Sequence, residues 1–165
     1  MALRLRILAS ITSAVDLWCF RHIGRRKPDL VIRRHGADYM ARWHVIPKNF
    51  FFNIYYHVQM ADDAGRHCHP YPSISWVLGG IMIEEINGQV FHRRPGEIVL
   101  RRAKTRHQLT LETGRYPDGT EFKVHSTRLF ITGPRIRDWG FETDSGWVSH
   151  ELVISRKDGI SEMKQ

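Results

Sequence analysis

Cysteine and long apolar runs are both scarce in this chain of 165 residues. The two cysteines, Cys19 and Cys68, stand in dissimilar sequence contexts, which excludes the disulfide framework of a small secreted domain and favours a reducing cytoplasm. No apolar run is long enough to span a bilayer, and no repeat or low-complexity tract suggests a solenoid or a linker. We therefore expect one cytoplasmic domain, without a membrane partner, that can bury a core of its own.

Acidic side chains are also few relative to basic ones, and three interpretations of this excess stay open. The chain has 25 Lys and Arg against 17 Asp and Glu, a formal net charge of +8. The charge could bind nucleic acid, form a solvated basic surface or attract a small anionic substrate. No recognition helix or row of stacking aromatics accompanies it, so we favour a solvated surface over nucleic-acid binding.

Residues 1–27 predict a helix that packs outside the main fold. Apolar residues recur there at helical spacing: Leu8, Ile11, Val15, Trp18 and Ile23. The glycine, basic and proline residues over 24–28 are typical of a helix end. A short signal peptide is the alternative, because Arg4 and Arg6 precede an apolar stretch, but Asp16 interrupts that stretch at once.

From residue 28 onward the sequence predicts short strands separated by turns. Branched and aromatic residues predict strands over 30–33, 39–45, 50–60, 73–86, 98–100, 107–111, 128–132 and 147–154. Gly79 and Gly80 predict a bend, Asn87 and Gly88 predict a hairpin turn, and 113–126 is typical of a polar loop. We expect an all-β sandwich or small barrel over 28–156, followed by a loose tail over 157–165.

Three histidines form the strongest candidate for a functional site. His67 and His69 flank Cys68, and side chains two residues apart on a strand share a face, so Cys68 points away from both rings. His107 begins a later apolar strand and could complete the set if the strands pair. Imidazole suits Fe, Zn, Ni and Cu better than Mg or Ca. The spacing predicts a transition-metal site in a β fold, and polar lining of a cavity is the alternative.

The same segment resembles the first motif of the cupin superfamily, G-x5-H-x-H-x3-E-x6-G. His67, His69 and Gly80 keep its spacing. Ala61 takes the place of the first glycine, and Ser73 takes the place of the usual glutamate ligand.

A later segment resembles the second cupin motif, G-x5-P-x-G-x2-H-x3-N. Gly96 and His107 keep its spacing, with Leu111 at the asparagine position. The stretches 127–134 (TRLFITGP) and 139–141 (WGF) resemble small single-domain bacterial and phage cupins. The resemblance implies a double-stranded β-helix, the jelly-roll-like cupin barrel, with the N-terminal helix outside. It also implies a metal on the three histidines and a homodimer that shares edge strands.

Glu84 and His57 are the candidate catalytic side chains. Glu84 follows the glycine bend and could reach the cavity as a fourth ligand or a general base, or it could be a solvated strand residue. His57 and Tyr55 are two residues apart on a strand rich in aromatic residues, so their side chains point to the same face. His57 could therefore lie beside the metal, or it could be a hydrogen-bonded core histidine.

Further side chains are candidates for binding substrate. Tyr55 and Tyr71 would line the cavity, and Ser73 and Ser75 share the parity of His69 and would face it. Arg106, or else Arg101, could neutralise an anionic substrate near the barrel mouth.

Metal-dependent chemistry on a small, perhaps anionic, molecule is the expected function. Three-histidine sites occur among cupins, including thiol dioxygenases that bind Fe(II), so the resemblance implies a mononuclear Fe(II) oxygenase. Zn, Ni, Mn and Cu are the alternative ions. A non-catalytic module that binds a small ligand, with a structural metal or none, is the alternative function.

Overall fold

The computed structural model describes residues 2–34, 37–157 and 160–163, with side chains over 8–34 and 37–152. Helix α1 (Ala2–Cys19) continues into a π-helical turn over Phe20–Gly24, and α2 (His150–Val153) is a single turn. The strands of this part of the chain are β1 (Leu30–Arg34), β2 (Ala37–His44), β3 (Asn53–Gln59), β4 (Ser73–Gly79), β5 (Met82–Ile86), β6 (Gln89–Arg93), β7 (Ile98–Arg101), β8 (Gln108–Leu111), β9 (Thr113–Arg115), β10 (Glu121–Lys123), β11 (Ser126–Thr132), β12 (Gly140–Thr143), β13 (Gly146–Ser149), β14 (Ile154–Lys157) and β15 (Ile160–Met163).

Two sheets form the body of the molecule. The larger has eight strands in the order β14-β15-β1-β2-β3-β11-β4-β7, and the smaller has three in the order β6-β5-β8. Their pairs are antiparallel apart from the parallel pair of β1 and β15. Two hairpins, β9-β10 and β12-β13, complete the structure. The prediction of an all-β cupin barrel with an N-terminal helix is confirmed.

The inner face of the large sheet packs against the small sheet. A buried apolar cluster joins Val77 of β4 to Met82 of β5 and to Leu109 and Leu111 of β8. Arg128 of β11 crosses the same interior and donates to the Sδ atom of Met82. The barrel interior is therefore partly polar, and its buried charges surround the site described below.

Helix α1 covers part of the outer face of the large sheet. One buried cluster joins the helix and the turn after it to three strands: Cys19, Ile23, Ala41, Trp43, Tyr56 and Leu78. Asp16 anchors the helix, because its Oδ1 accepts hydrogen bonds from Thr127 Oγ1 at 2.8 Å and from the Tyr56 hydroxyl at 3.3 Å. In the described part of the chain, neither helix has the length and apolar character needed to span a bilayer.

The face that the helix buries differs from the predicted apolar stripe. Val15 and Ile23 do pack on the sheet, but Leu8, Ile11 and Trp18 are exposed. Polar Thr12 is buried instead. The helix turns towards the sheet the face that lets Asp16 accept its hydrogen bonds. The spacing of apolar residues alone does not reveal this polar contact.

Glycine conformation sets the two predicted turns. Asn87 and Gly88 have φ values of 51° and 76°, as a type I′ hairpin turn requires, and they join β5 to β6. Gly80 has φ of 70°, and a Cβ atom there would lie 2.3 Å from the carbonyl oxygen of His125. The bend between β4 and β5 therefore depends on the missing side chain at residue 80.

Other segments differ from the predicted strands and loops. The strand expected over 50–60 begins at Asn53, because the Oδ1 atom of Asn49 accepts hydrogen bonds from the amides of Phe51 and Phe52 and folds them into a turn. The loop expected over 113–126 contains the β9-β10 hairpin. The strand expected over 147–154 is divided by α2.

A loose tail was expected over 157–165. Within it, residues 160–163 form β15, which pairs with β1 and β14. Residues 158, 159, 164 and 165 lie outside the described part of the chain.

Candidate metal centre

Backbone hydrogen bonds bring the two histidine segments together. The amide of His67 donates to the carbonyl of His107 and the amide of His107 donates back, each at 2.9 Å. The amide of His69 donates to the carbonyl of Ala103 at 3.1 Å. The chain before β8 thus pairs with the H-x-H segment, which is the condition on which the predicted cluster depends. Cys68, between the two rings, is buried with its Sγ 3.8 Å from the Gly140 carbonyl, outside the cluster.

The three imidazoles converge on one point. One ring nitrogen from each of His67, His69 and His107 lies within 4.8 Å of the others. The Nε2 atoms of His69 and His107 are 2.9 Å apart. Burial and the adjacent rings of His107 and His67 hold the pKa of His69 well below its usual value. Burial likewise lowers the pKa of His107 to about 4, against the opposing hydrogen bond to Glu84. The rings of His69 and His107 are therefore neutral at pH 7, as metal ligation requires.

The second nitrogen of two rings is held by an acceptor that fixes the tautomer. His107 donates from Nδ1 to Glu84 Oε1 at 2.8 Å, and His67 donates from Nδ1 to the carbonyl oxygen of Gly65 at 3.2 Å. Both rings therefore keep their lone pair on Nε2, the nitrogen that could bind a metal. Metal-binding histidines usually donate their other N–H to such an acceptor, so the donor set fits a divalent transition metal.

Glu84 lies behind His107 and not among the clustered ligand atoms. The side chain is fully buried, and its oxygens accept hydrogen bonds from Arg101 Nε at 2.5 Å, Arg93 Nε at 2.8 Å and His107. Burial raises the pKa of this carboxyl, but the bonds from His107 and Arg101 outweigh it and hold the pKa well below its usual range. The geometry gives Glu84 a positioning role in place of the expected fourth ligand or general base, because both oxygens are occupied.

Asp63 is a second carboxylate that the sequence analysis missed. It is buried, accepts hydrogen bonds from the Tyr39 hydroxyl and, at 2.6 Å, from the amide of Leu109, and places Oδ2 3.6 Å from Nδ1 of His67. Its position four residues before the first histidine ligand was the available signal. Two of the three rings thus have a buried carboxylate beside Nδ1.

A cavity of about 660 Å³ opens beside His67 and His69. Tyr55 and Tyr71 line it, as expected, and the ring of Tyr71 stacks on that of His69 with centroids 5.9 Å apart. Much of the remaining lining is aromatic or aliphatic, as is usual for sites that bind small molecules.

Three expected substrate-binding residues do not line this cavity. Ser73 and Ser75 face the barrel interior, but their hydroxyls are buried in the sheet without a hydrogen-bond partner in the described part of the chain. Arg106 is exposed and pairs with Glu142 at 2.7 Å. Arg101, the alternative to Arg106, is buried against Glu84.

His57 is a buried histidine between two arginines. Its Nε2 accepts from Arg42 Nε at 2.9 Å, while Arg128 Nε lies 3.4 Å from Nδ1. Its ring stacks between Tyr55 and Phe130. Burial, followed by the charges of Arg42 and Arg128, holds the pKa of His57 well below 6.5. It does not line the cavity, so the placement matches the core-histidine alternative and not a catalytic position.

The barrel and its histidine cluster together define a class: a protein of cupin-like fold with a site suited to a divalent metal. No protein-family model and no curated protein matches the chain by sequence. Among solved structures, the chain is similar to the DMSP lyase DddQ from Ruegeria pomeroyi DSS-3, with 15% identity, a TM-score of 0.49, and coverage of 63% of this chain and 52% of that one. The match therefore spans about half of the lyase chain.

Two further similar structures come from smaller proteins. A cupin superfamily protein from Desulfitobacterium hafniense DCB-2 is 11% identical, with a TM-score of 0.45 and coverage of 58% of this chain and 77% of that one. KdgF from Halomonas sp. is 16% identical, with a TM-score of 0.45 and coverage of 59% and 81%. At these identities the similarity carries neither a substrate nor a reaction to this chain.

Proposed function

We propose that this chain is a metal-dependent enzyme, a mononuclear oxygenase of the dioxygenase type that acts on a small molecule in the cavity. The observation that carries the proposal is the convergence of three imidazoles, two of them in the tautomer that keeps the lone pair on Nε2. Fe(II) is the ion we expect, with Zn, Ni, Mn and Cu as alternatives. Both cysteines are free thiols, which suits the cytoplasm that we propose as its location.

His67, His69 and His107 would hold the ion, which supplies open coordination positions for dioxygen and substrate when it is bound. The other residues of the site orient these ligands and exclude water. Glu84 keeps the His107 ring in one orientation, and the aromatic cavity wall removes substrate from bulk solvent.

A second candidate is a binding module without catalysis. The cluster of ligand atoms in the described residues contains no carboxylate, and Ser73 stands where the cupin resemblance expects glutamate. In this case the cavity would hold a small ligand, and any metal would be structural.

Metal analysis of protein purified without an affinity tag tests the metal site. We expect one equivalent of ion in the wild type and in His92→Ala, whose imidazole is exposed on β6, and loss of the ion in His69→Ala and His107→Ala. Wild-type protein that stays metal-free after anaerobic incubation with Fe(II) would refute the site.

Oxygen consumption separates the two candidate functions. Iron-loaded wild type should consume dioxygen with a substrate from a panel of small acids, and His69→Ala should not. Ligand binding that is equally strong in His69→Ala, without oxygen uptake by the wild type, would favour the binding module.

We also propose that the chain forms the homodimer that the cupin resemblance implies, with the contact made by the outer face of the large sheet beside its edge strand β7 in place of the shared edge strands expected from that resemblance. Paired residues form an apolar row across four strands: Ile54, Ile131, Ile74 and Leu100. Leu100 at the end of this row is 74% exposed. Sedimentation should show a dimer that Leu100→Glu dissociates, whereas Leu152→Glu, a control on α2 with a similarly exposed leucine, should not. A wild-type monomer at high protein concentration would refute the dimer.

A further inference from the structure

Two basic side chains line the cavity without an acidic partner among the described residues. Neither Arg42 nor Lys48 forms an ion pair with any carboxylate of the described residues, although both line the cavity. Arg135, another basic lining residue, differs from them because it pairs with Asp138 at 2.7 Å. A cation that lines an apolar cavity without a counter-ion favours an anionic ligand.

Among the described residues, no carboxylate that lines the cavity lies within ion-pair distance of these two cations. Asp63 is the acidic residue that lines it in the described part of the chain. Both of its oxygens already accept hydrogen bonds, from Tyr39 and from the amide of Leu109, and its side chain is buried. The carboxylate of Asp63 is thus directed to Tyr39, Leu109 and His67, and in the described residues neither Arg42 nor Lys48 has a carboxylate in contact with it.

Arg42 is held in one orientation, whereas Lys48 is exposed on a loop. The Nε atom of Arg42 donates to His57, and its guanidinium carbon lies 4.7 Å from the ring centroid of Tyr55. These two contacts leave both terminal amino groups of the guanidinium without a hydrogen-bond partner in the described residues. A guanidinium fixed in this way can donate two parallel hydrogen bonds to a carboxylate with little further loss of entropy.

The other residues that line the cavity suit a ligand with an aromatic ring. Phe50, Tyr71, Trp139 and Phe141 contribute rings to the lining, and Met40 and other aliphatic side chains fill the space between them. The volume of about 660 Å³ lies within the range of sites for small organic ligands.

We propose that this cavity selects small aromatic carboxylates, with Arg42 as the anchor of the carboxylate group. The ring would lie among the aromatic side chains, in the same cavity as His67 and His69. This inference rests on the cavity being the substrate site of the proposed function, and it names the substrate class.

Calorimetric titration of metal-free protein tests the anchor, because no ion can then bind the carboxylate. The probes are benzoate, phenylacetate and 3-phenylpropionate, each with its neutral amide. We expect at least one acid to bind the wild type about tenfold or more tightly than its amide. Arg42→Met, which keeps an apolar stem but removes the charge, should abolish this preference. Arg106→Met, which removes an exposed cation outside the cavity, should retain it.

Arg42→Lys is a second variant in case Arg42→Met does not fold. It keeps the charge but loses the planar pair of donors, so the preference for acid over amide should fall severalfold. The inference is refuted if no acid binds, if the amides bind as tightly as the acids, or if the substitutions at residue 42 leave the preference unchanged.

Metal content is measured on the same samples and separates this inference from the proposed function. Protein that binds the acids through Arg42 but never binds metal refutes the oxygenase alone. Protein that binds metal but does not prefer acids to amides refutes the aromatic-carboxylate proposal alone.

Discussion

Glu84→Gln is the substitution that tests most directly how the candidate metal centre is held. The change keeps the size of the side chain but removes the negative charge that the buried Arg101 and the partly buried Arg93 share. Arg101 then lies in the interior without a counter-ion. Removing one partner of a buried ion pair costs about 3–5 kcal/mol. For a domain of this size, that loss corresponds to a decrease in melting temperature of roughly 10 °C.

The same substitution should weaken metal binding. The charge of Glu84 favours donation from Nδ1 of His107 and makes that ring a stronger ligand. Loss of the hydrogen-bond acceptor behind a metal-binding histidine typically lowers metal affinity by about 10–100-fold. The two effects are measured separately, by thermal unfolding of metal-free protein and by competition with a chromophoric chelator.

Glu85→Gln is the matched control for both measurements. Glu85 follows Glu84 on β5, but its side chain is 37% exposed and pairs with Arg66 at the surface. An exposed pair contributes about 1 kcal/mol or less, so this variant should melt close to the wild type. If Glu84→Gln melts within about 2 °C of Glu85→Gln, or binds metal as tightly as the wild type, the role assigned to Glu84 is wrong.

Three further substitutions test other parts of the structure. Gly80→Ala should destabilise the fold by about 2 kcal/mol more than Gly88→Ala, because both glycines have positive φ but only at residue 80 would the new Cβ meet a backbone oxygen at 2.3 Å. His57→Gln should make the loss of stability below pH 6.5 less steep than in the wild type without abolishing it, because the unfolded chain binds a proton there that the folded His57 does not, while burial lowers the pKa values of His69 and His107 in the same way. Asp16→Ala should cost about 1–3 kcal/mol, since the hydroxyls of Thr127 and Tyr56 lose their acceptor.

Chemical denaturation measures all three, and each has an outcome that would contradict it. Equal losses of unfolding free energy in Gly80→Ala and Gly88→Ala would show that the bend at residue 80 tolerates a Cβ atom. A pH profile of His57→Gln that parallels the wild type would show that His57 does not contribute to the acid sensitivity. Asp144→Ala is the control for Asp16→Ala, because Asp144 is an exposed acidic residue on a turn. Equal stability of the two variants would show that Asp16 does not anchor the helix.

The features that the sequence predicted well depend on local geometry. The H-x-H spacing predicted that His67 and His69 would lie together, although both are found between β3 and β4, where His67 forms isolated bridges and no strand. The dipeptide of Asn87 and Gly88 allowed positive φ at both turn positions. The cluster with His107 could be anticipated because one antiparallel pairing is enough to bring it to the other two rings.

The features that could not be predicted from the sequence depend on contacts among several strands that are far apart along the chain. The partners of Glu84 come from β6, from β7 and from the residue before β8, so its burial follows from no single spacing. Strand alternation correctly predicted that Ser73 and Ser75 point into the barrel from β4. It does not predict how far a side chain lies from the cavity along the barrel axis. Arg42 was missed because its importance comes from the lack of an acidic neighbour, which only the folded chain can show.

Cys19 gives the molecule a built-in reporter of local opening. The residue ends α1 and packs against the large sheet, it is 1% exposed, and burial raises the pKa of its thiol to about 11. A thiol in this state reacts with alkylating reagents only when the helix detaches from the strands. The alkylation rate at Cys19 would therefore measure how often the N-terminal segment separates from the barrel while the rest stays folded.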